Sequence, residues 1–141
     1  MLTRRMNLDA YTRVSKVGGR GGESFLSPEL QREQIEAYAK LHGHDLTWHE
    51  PELDVSGGTM RRPIFNEIMA RVRREETDGV IVAKLDRFSG TLTGALRTLE
   101  EMDRHGAVLV SVADNIDLST SMGRAFLQML LVFGERLSGT S

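Results

Sequence analysis

Three observations predict an α/β fold built on a parallel sheet of about four strands. Short apolar runs of strand length recur, as in Val80-Ile81-Val82 and Val108-Leu109-Val110. Longer stretches carry apolar residues at helical spacing, as in Ile64, Phe65, Ile68, Met69 and Val72. The two kinds of segment alternate along the chain, which calls for parallel strands joined by right-handed helical crossovers.

Each element has a local reason. Ala10 to Val14 reads as a first strand ending at Ser15, and the glycine-rich "KVGGRGGESFL" after it as a loop. Ser27-Pro28-Glu29 is a helix start, with serine as N-cap, proline in the first turn and an acid beside it; this helix runs to His42 and stops at Gly43. "DLTWHE" is the second strand and "DVSGGTMRRP" a polar loop. Pro63 opens the second helix, "GVIVAKL" is the third strand, and Leu92, Leu96, Leu99 and Met102 mark a third helix closed by Gly106. "AVLVSVA" is the fourth strand. The last helix runs from Met122 to about Leu137. It is apolar nearly all round at Phe126, Leu127, Met129, Leu130, Leu131, Val132 and Phe133, so it is expected to pack against another subunit.

With 141 residues and no internal repeat or linker, one domain covers 1–141. Hydrophobic residues make up 40% and charged residues 27%, and the net charge of −2 provides no global basic field. Local basic groups do occur, at Arg4, Arg5, Arg13, Lys16 and Arg20 and at Arg61, Arg62, Arg71, Arg73 and Arg74; they are either solvated faces or phosphate ligands. The absence of cysteine excludes disulfides, thiolate zinc sites and a cysteine nucleophile. No apolar stretch suits a signal peptide or a membrane span, so a cytoplasmic protein is expected, with Met6 as an alternative start.

The glycine loop fits neither phosphate-binding fingerprint. Ser24 stands where a dinucleotide motif needs its third glycine, and no Gly-Lys-Ser/Thr closes a P-loop. His42, His44 and His49 fall on a helix end, a loop and a strand, which do not obviously bring them together, so no metal is expected. His105 is expected to cap its helix end locally. Ligands of parallel sheets gather beyond the carboxyl ends of strands, which puts Arg13–Ser15 and Lys84–Arg87 on one edge. Arg13 and Ser15 alternate along a strand and face the same way; a serine so placed is a phosphate ligand or a nucleophile.

"YTRVS", "SPELQREQI", "DVSGGTMRRP", "VIVAKLDRFS" and "NIDLSTSMGRAFLQML" occur in this order across nearly the whole chain. Together they resemble the catalytic domain of the serine recombinases, the resolvase/invertase family, and most closely the large serine integrases. The third block has one residue fewer between acid and serine than in many relatives. The resemblance implies a three-layer fold with a mainly parallel central sheet, helices on both faces and a C-terminal oligomerisation helix. It also implies site-specific DNA recombination through a 5′-phosphoserine intermediate, with no metal or other cofactor. Ser15 would be the nucleophile, and Arg13, Arg87 and Arg62 would clamp the phosphate. Asp86 would orient an arginine or assist proton transfer. Asp54 and Ser56 would organise the loop carrying Arg62, and Gln31, Tyr11 and Lys84 would support the site. Arg124 would either contact the site or orient the final helix.

Two departures limit that implication. The family's further arginine in Leu-Asp-Arg-Leu-x-Arg-Ser is Gly90 here. The chain also closes on "FGERLSGTS", without the family's DNA-binding region. The expectation is therefore an N-terminal catalytic domain acting on DNA, dimeric or tetrameric through helix 122–137. The alternative is an impaired recombinase-like domain that serves only for oligomerisation.

Overall fold

In a computed structural model, residues 5–15, 27–54, 62–85 and 92–137 are described; of Ser15, Asp54, Leu92, Thr93 and 134–137 only the backbone is. The elements run β1 (Asn7–Ala10), β2 (Arg13–Ser15), α1 (Pro28–His42), β3 (Asp45–Trp48), β4 (Glu52–Asp54), α2 (Pro63–Arg73), β5 (Gly79–Val82), α3 (Leu92–Arg104), β6 (Val108–Ser111), β7 (Ile116–Asp117) and α4 (Ser121–Leu137).

The α/β architecture is the one expected from the alternation of segments. The central sheet has five strands in the order β3-β1-β5-β6-β7, with β7 antiparallel and the others parallel. Alternate residues of the buried strands feed two cores, as the pleat requires. Val80, Val82 and Leu109 face Phe65, Ile68, Met69 and Val72 of α2 and Ala95, Leu99 and Met102 of α3. On the other side Leu8, Ala10, Ile81, Ala83 and Val110 pack on Ile35 of α1. The sheet is thus covered on both faces.

The first strand departs from expectation. Instead of one strand over Ala10–Val14, β1 stops at Ala10 and β2 restarts at Arg13 in a separate two-stranded sheet with β4. Tyr11 N–H still donates to Ile81 O at 3.0 Å, but the Thr12 carbonyl already accepts Glu52 N–H at 2.8 Å. The ladder changes partner within two residues. Residues 52–54 are therefore strand, and Asp54, read as the start of a loop, ends it.

Helix ends follow their local signals. Ser27 Oγ accepts Leu30 N–H at 3.1 Å ahead of Pro28, and Gly43 closes α1 with φ of 75°, a conformation that suits glycine. On α4, Leu127 is buried, while Met122, Phe126, Met129, Val132 and Phe133 are exposed. No described helix is long and apolar enough to cross a membrane.

Candidate active site

Because β1 and β5 are parallel neighbours, the chain leaves both at the same edge of the sheet. Beyond that edge, β2 places Arg13 opposite Glu52 and Ser15 opposite Asp54. Both Arg13 and Ser15 thus lie on this short strand, two positions apart. Gln31, fully buried on α1, brackets Arg13 with its amide: Oε1 accepts the Arg13 N–H at 3.3 Å and Nε2 donates to the Arg13 carbonyl at 3.0 Å.

The second arginine of the expected clamp is held from a different direction. Arg62 is the N-cap of α2 yet makes no side-chain cap bond, and Pro63 follows it. The free N–H groups of that first turn are met by Glu52, whose carboxylate accepts from Ile64 N–H at 3.3 Å and Phe65 N–H at 2.9 Å. The Tyr11 hydroxyl donates to Glu52 Oε1 at 3.3 Å and accepts from Arg62 Nη2 at 3.2 Å. The guanidinium lies 4.0 Å above the Phe65 ring and 5.6 Å from that of Tyr11. Burial pushes the Tyr11 hydroxyl up to about 12, with Arg62 pulling the other way. Tyr11 therefore stays a hydrogen-bond donor at neutral pH.

The segment after β5 has its own anchor. Asp114 Oδ2 accepts both Leu85 N–H and Ser111 Oγ–H at 2.7 Å. Lys84 lies half-buried on this segment, at the sheet edge. Asp86, Arg87 and Gly90 just beyond it, and Ser56 after β4, lie outside the described residues. Arg124 on α4 donates to Asp103 on α3 and so ties the two helices together.

Glu52 and Asp114 do not stand out in the sequence. Glu52 sits in an inverted strand pattern, an acid inside and Leu53 half-exposed outside. Its one sequence signal was a helix start at Pro63 without a Ser, Thr, Asp or Asn cap. The histidines also differ from expectation. The His42 and His44 rings stack at 6.0 Å and Tyr38 stacks on His42 at 4.2 Å, because Gly43 reverses the chain between them. His49 goes elsewhere, its Nε2 lying 3.0 Å from Asp9 Oδ2. His105 faces Glu75, with Nδ1 at 3.8 Å from Oε2, a contact outside its own helix end. Among the described residues no three His, Asp or Glu side chains gather as a metal cluster.

A family model described as the resolvase N-terminal domain matches residues 10–138. The chain belongs to that family. It is 33% identical over 115 residues to the transposon Tn917 resolvase of Enterococcus faecalis, covering 81% of this chain and 60% of that protein. It is 28% identical over 128 residues to the serine recombinase PinR of Escherichia coli K12, covering 89% and 60%. Among solved structures, the N-terminal catalytic domain of TP901-1 integrase matches with a TM-score of 0.78 and 25% identity, covering 94% of this chain and 96% of that one. A resolvase family site-specific recombinase from Streptococcus pneumoniae matches with a TM-score of 0.72 and 27% identity, covering 95% and 89%. The chain spans 60% or less of the curated relatives it matches.

Proposed function

We propose that this chain is the catalytic domain of a serine site-specific recombinase that cuts and rejoins DNA through a covalent phosphoserine. The observation that carries this reading is the edge itself. Arg13 and Ser15 lie two positions apart on a short strand pinned at Arg13 by Gln31, and the Tyr11 hydroxyl, two residues before Arg13, accepts from Arg62.

In the proposed step, Ser15 Oγ attacks a backbone phosphorus as it gives up its proton. The Oγ–P bond forms, the P–O3′ bond breaks, and the leaving oxygen takes a proton to become a free 3′-hydroxyl. The ester energy is kept in the 5′-phosphoserine, so the reverse attack rejoins strands. Negative charge gathers on the phosphoryl oxygens, and Arg13, Arg62 and Arg87 meet it with permanently charged, planar donors. Asp86 orients the neighbouring arginine. Strand exchange takes place in a homo-oligomer joined through α4, on DNA in the cytoplasm.

The test uses random-sequence duplexes carrying bridging 3′-phosphorothiolates, whose thiolate leaving group cannot easily re-attack. Wild type is expected to form a covalent protein–DNA adduct that survives EDTA and is lost in Ser15→Ala. Failure to form any adduct, or an adduct that persists in Ser15→Ala, overturns the reading.

A second reading, an assembly module without cleavage, is favoured by Gly90 and by the exposed apolar side chains of α4. Losing one transition-state donor commonly costs about 10²–10³ in rate. Adduct that appears only in Gly90→Arg identifies a damaged enzyme; none in either protein identifies the module.

A further inference from the structure

We propose that Glu52 is a positioning residue that sets the Arg62 guanidinium through the Tyr11 hydroxyl. The functional meaning rests on reading Arg62 as a phosphate ligand; the geometry it explains does not.

Glu52 is 2% exposed, and a buried carboxylate is costly unless donors surround it. Its donors come from three residues: the N–H groups of Ile64 and Phe65 and the hydroxyl of Tyr11. Capping α2 needs only the first two, so the contact with Tyr11 is additional. It also fixes a direction. A carboxylate only accepts and a guanidinium only donates, so the single Tyr11 hydrogen points to Glu52 and its oxygen is turned to Arg62.

The cap is displaced for the same end. A Ser or Asp at position 62 would cap α2 locally, but an arginine stands there and the capping oxygen comes from β4. One carboxylate thereby holds the backbone turn that begins at Arg62 and, through Tyr11, its side chain.

The experiment reads the rotation of the Arg62 guanidinium by side-chain NMR, in the whole chain without DNA. Rotation is expected to speed up about tenfold in Tyr11→Phe and Glu52→Ala, and to stay near wild type in Glu52→Gln, which keeps a carbonyl acceptor for the hydroxyl. Adduct formation on the phosphorothiolate duplexes should fall in the same order, by about tenfold or more for Tyr11→Phe. Unchanged Arg62 rotation in folded Tyr11→Phe overturns the proposal, whether or not adduct forms. Absence of adduct in wild type overturns the recombinase reading alone and leaves the NMR result to decide this one. If Glu52→Ala does not fold, Tyr11→Phe decides, because the Tyr11 hydroxyl caps no helix.

Discussion

Asp9 and Arg71 form a two-point ion pair between β1 and α2, with Nε 2.7 Å from Oδ2 and Nη2 3.1 Å from Oδ1. The Asp9 side chain has no exposure to solvent, and His49 Nε2 also lies 3.0 Å from its Oδ2. Arg71→Met is expected to destabilise the fold by about 3–5 kcal/mol in urea titrations, because it strands a buried carboxylate. Asp9→Leu combined with Arg71→Met should recover much of that loss, as an apolar pair of similar volume does elsewhere.

Gln31→Leu keeps the side-chain volume but removes both bonds to the Arg13 backbone. A stability loss of about 1–3 kcal/mol is expected, read as a lower urea midpoint at unchanged slope. Adduct formation should slow by more than the unfolded fraction explains, because the same backbone carries Ser15.

His44 sets a pH dependence. Its Nδ1 accepts Met6 N–H at 3.1 Å, tying the start of β3 to that of β1. Burial lowers its pKa below the ordinary 6.5, and the neighbouring His42 adds to this, against a smaller opposite pull from Asp117 and Asp45. The unfolded chain then takes up the proton more readily than the folded one, so this contribution is present above pH 6.5 and is lost as pH falls below it. Thermal midpoints are expected to drop on acidification toward pH 5 more steeply in wild type than in His44→Gln.

Gly123, in the first turn of α4, lies against the backbone of β7. A Cβ there would sit 2.0 Å from the Asp117 carbonyl oxygen. Gly123→Ala must push the helix start away from the strand, at a cost of about 1–3 kcal/mol. Its largest effect should appear as faster amide exchange in 116–127.

Met129 and Phe133 lie one helical turn apart on α4, exposed by 62% and 61%. On the proposed assembly through α4, Met129→Lys with Phe133→Lys should leave the thermal midpoint nearly unchanged while shifting sedimentation to the monomer. An unchanged oligomer would place the assembly contact elsewhere.

Much of the fold is legible because periodicity is a local property. Runs such as Val80–Val82 and the helical spacing of Ile64 to Val72 identify β5 and α2 without knowledge of their partners. The break between β1 and β2 is not local: it depends on Glu52 offering its N–H to Thr12 from forty residues away. β7, two residues long, has no period to read. In the site, the Arg13–Ser15 alternation is visible in "YTRVS", whereas Glu52 acts through Tyr11, Ile64 and Phe65 and Asp114 ties the nearby Ser111 to Leu85 on another segment. Nothing in "PELD" reveals that its first acid turns inward.

The separation of β2 and β4 from the main sheet bears on what holds the proposed site in place. Their two-stranded ladder is separate from the five-stranded one. The residues read as the site, Arg13 and Ser15 on β2 and Arg62 at the start of α2, therefore hang on a ladder of three residue pairs rather than on the five-stranded sheet.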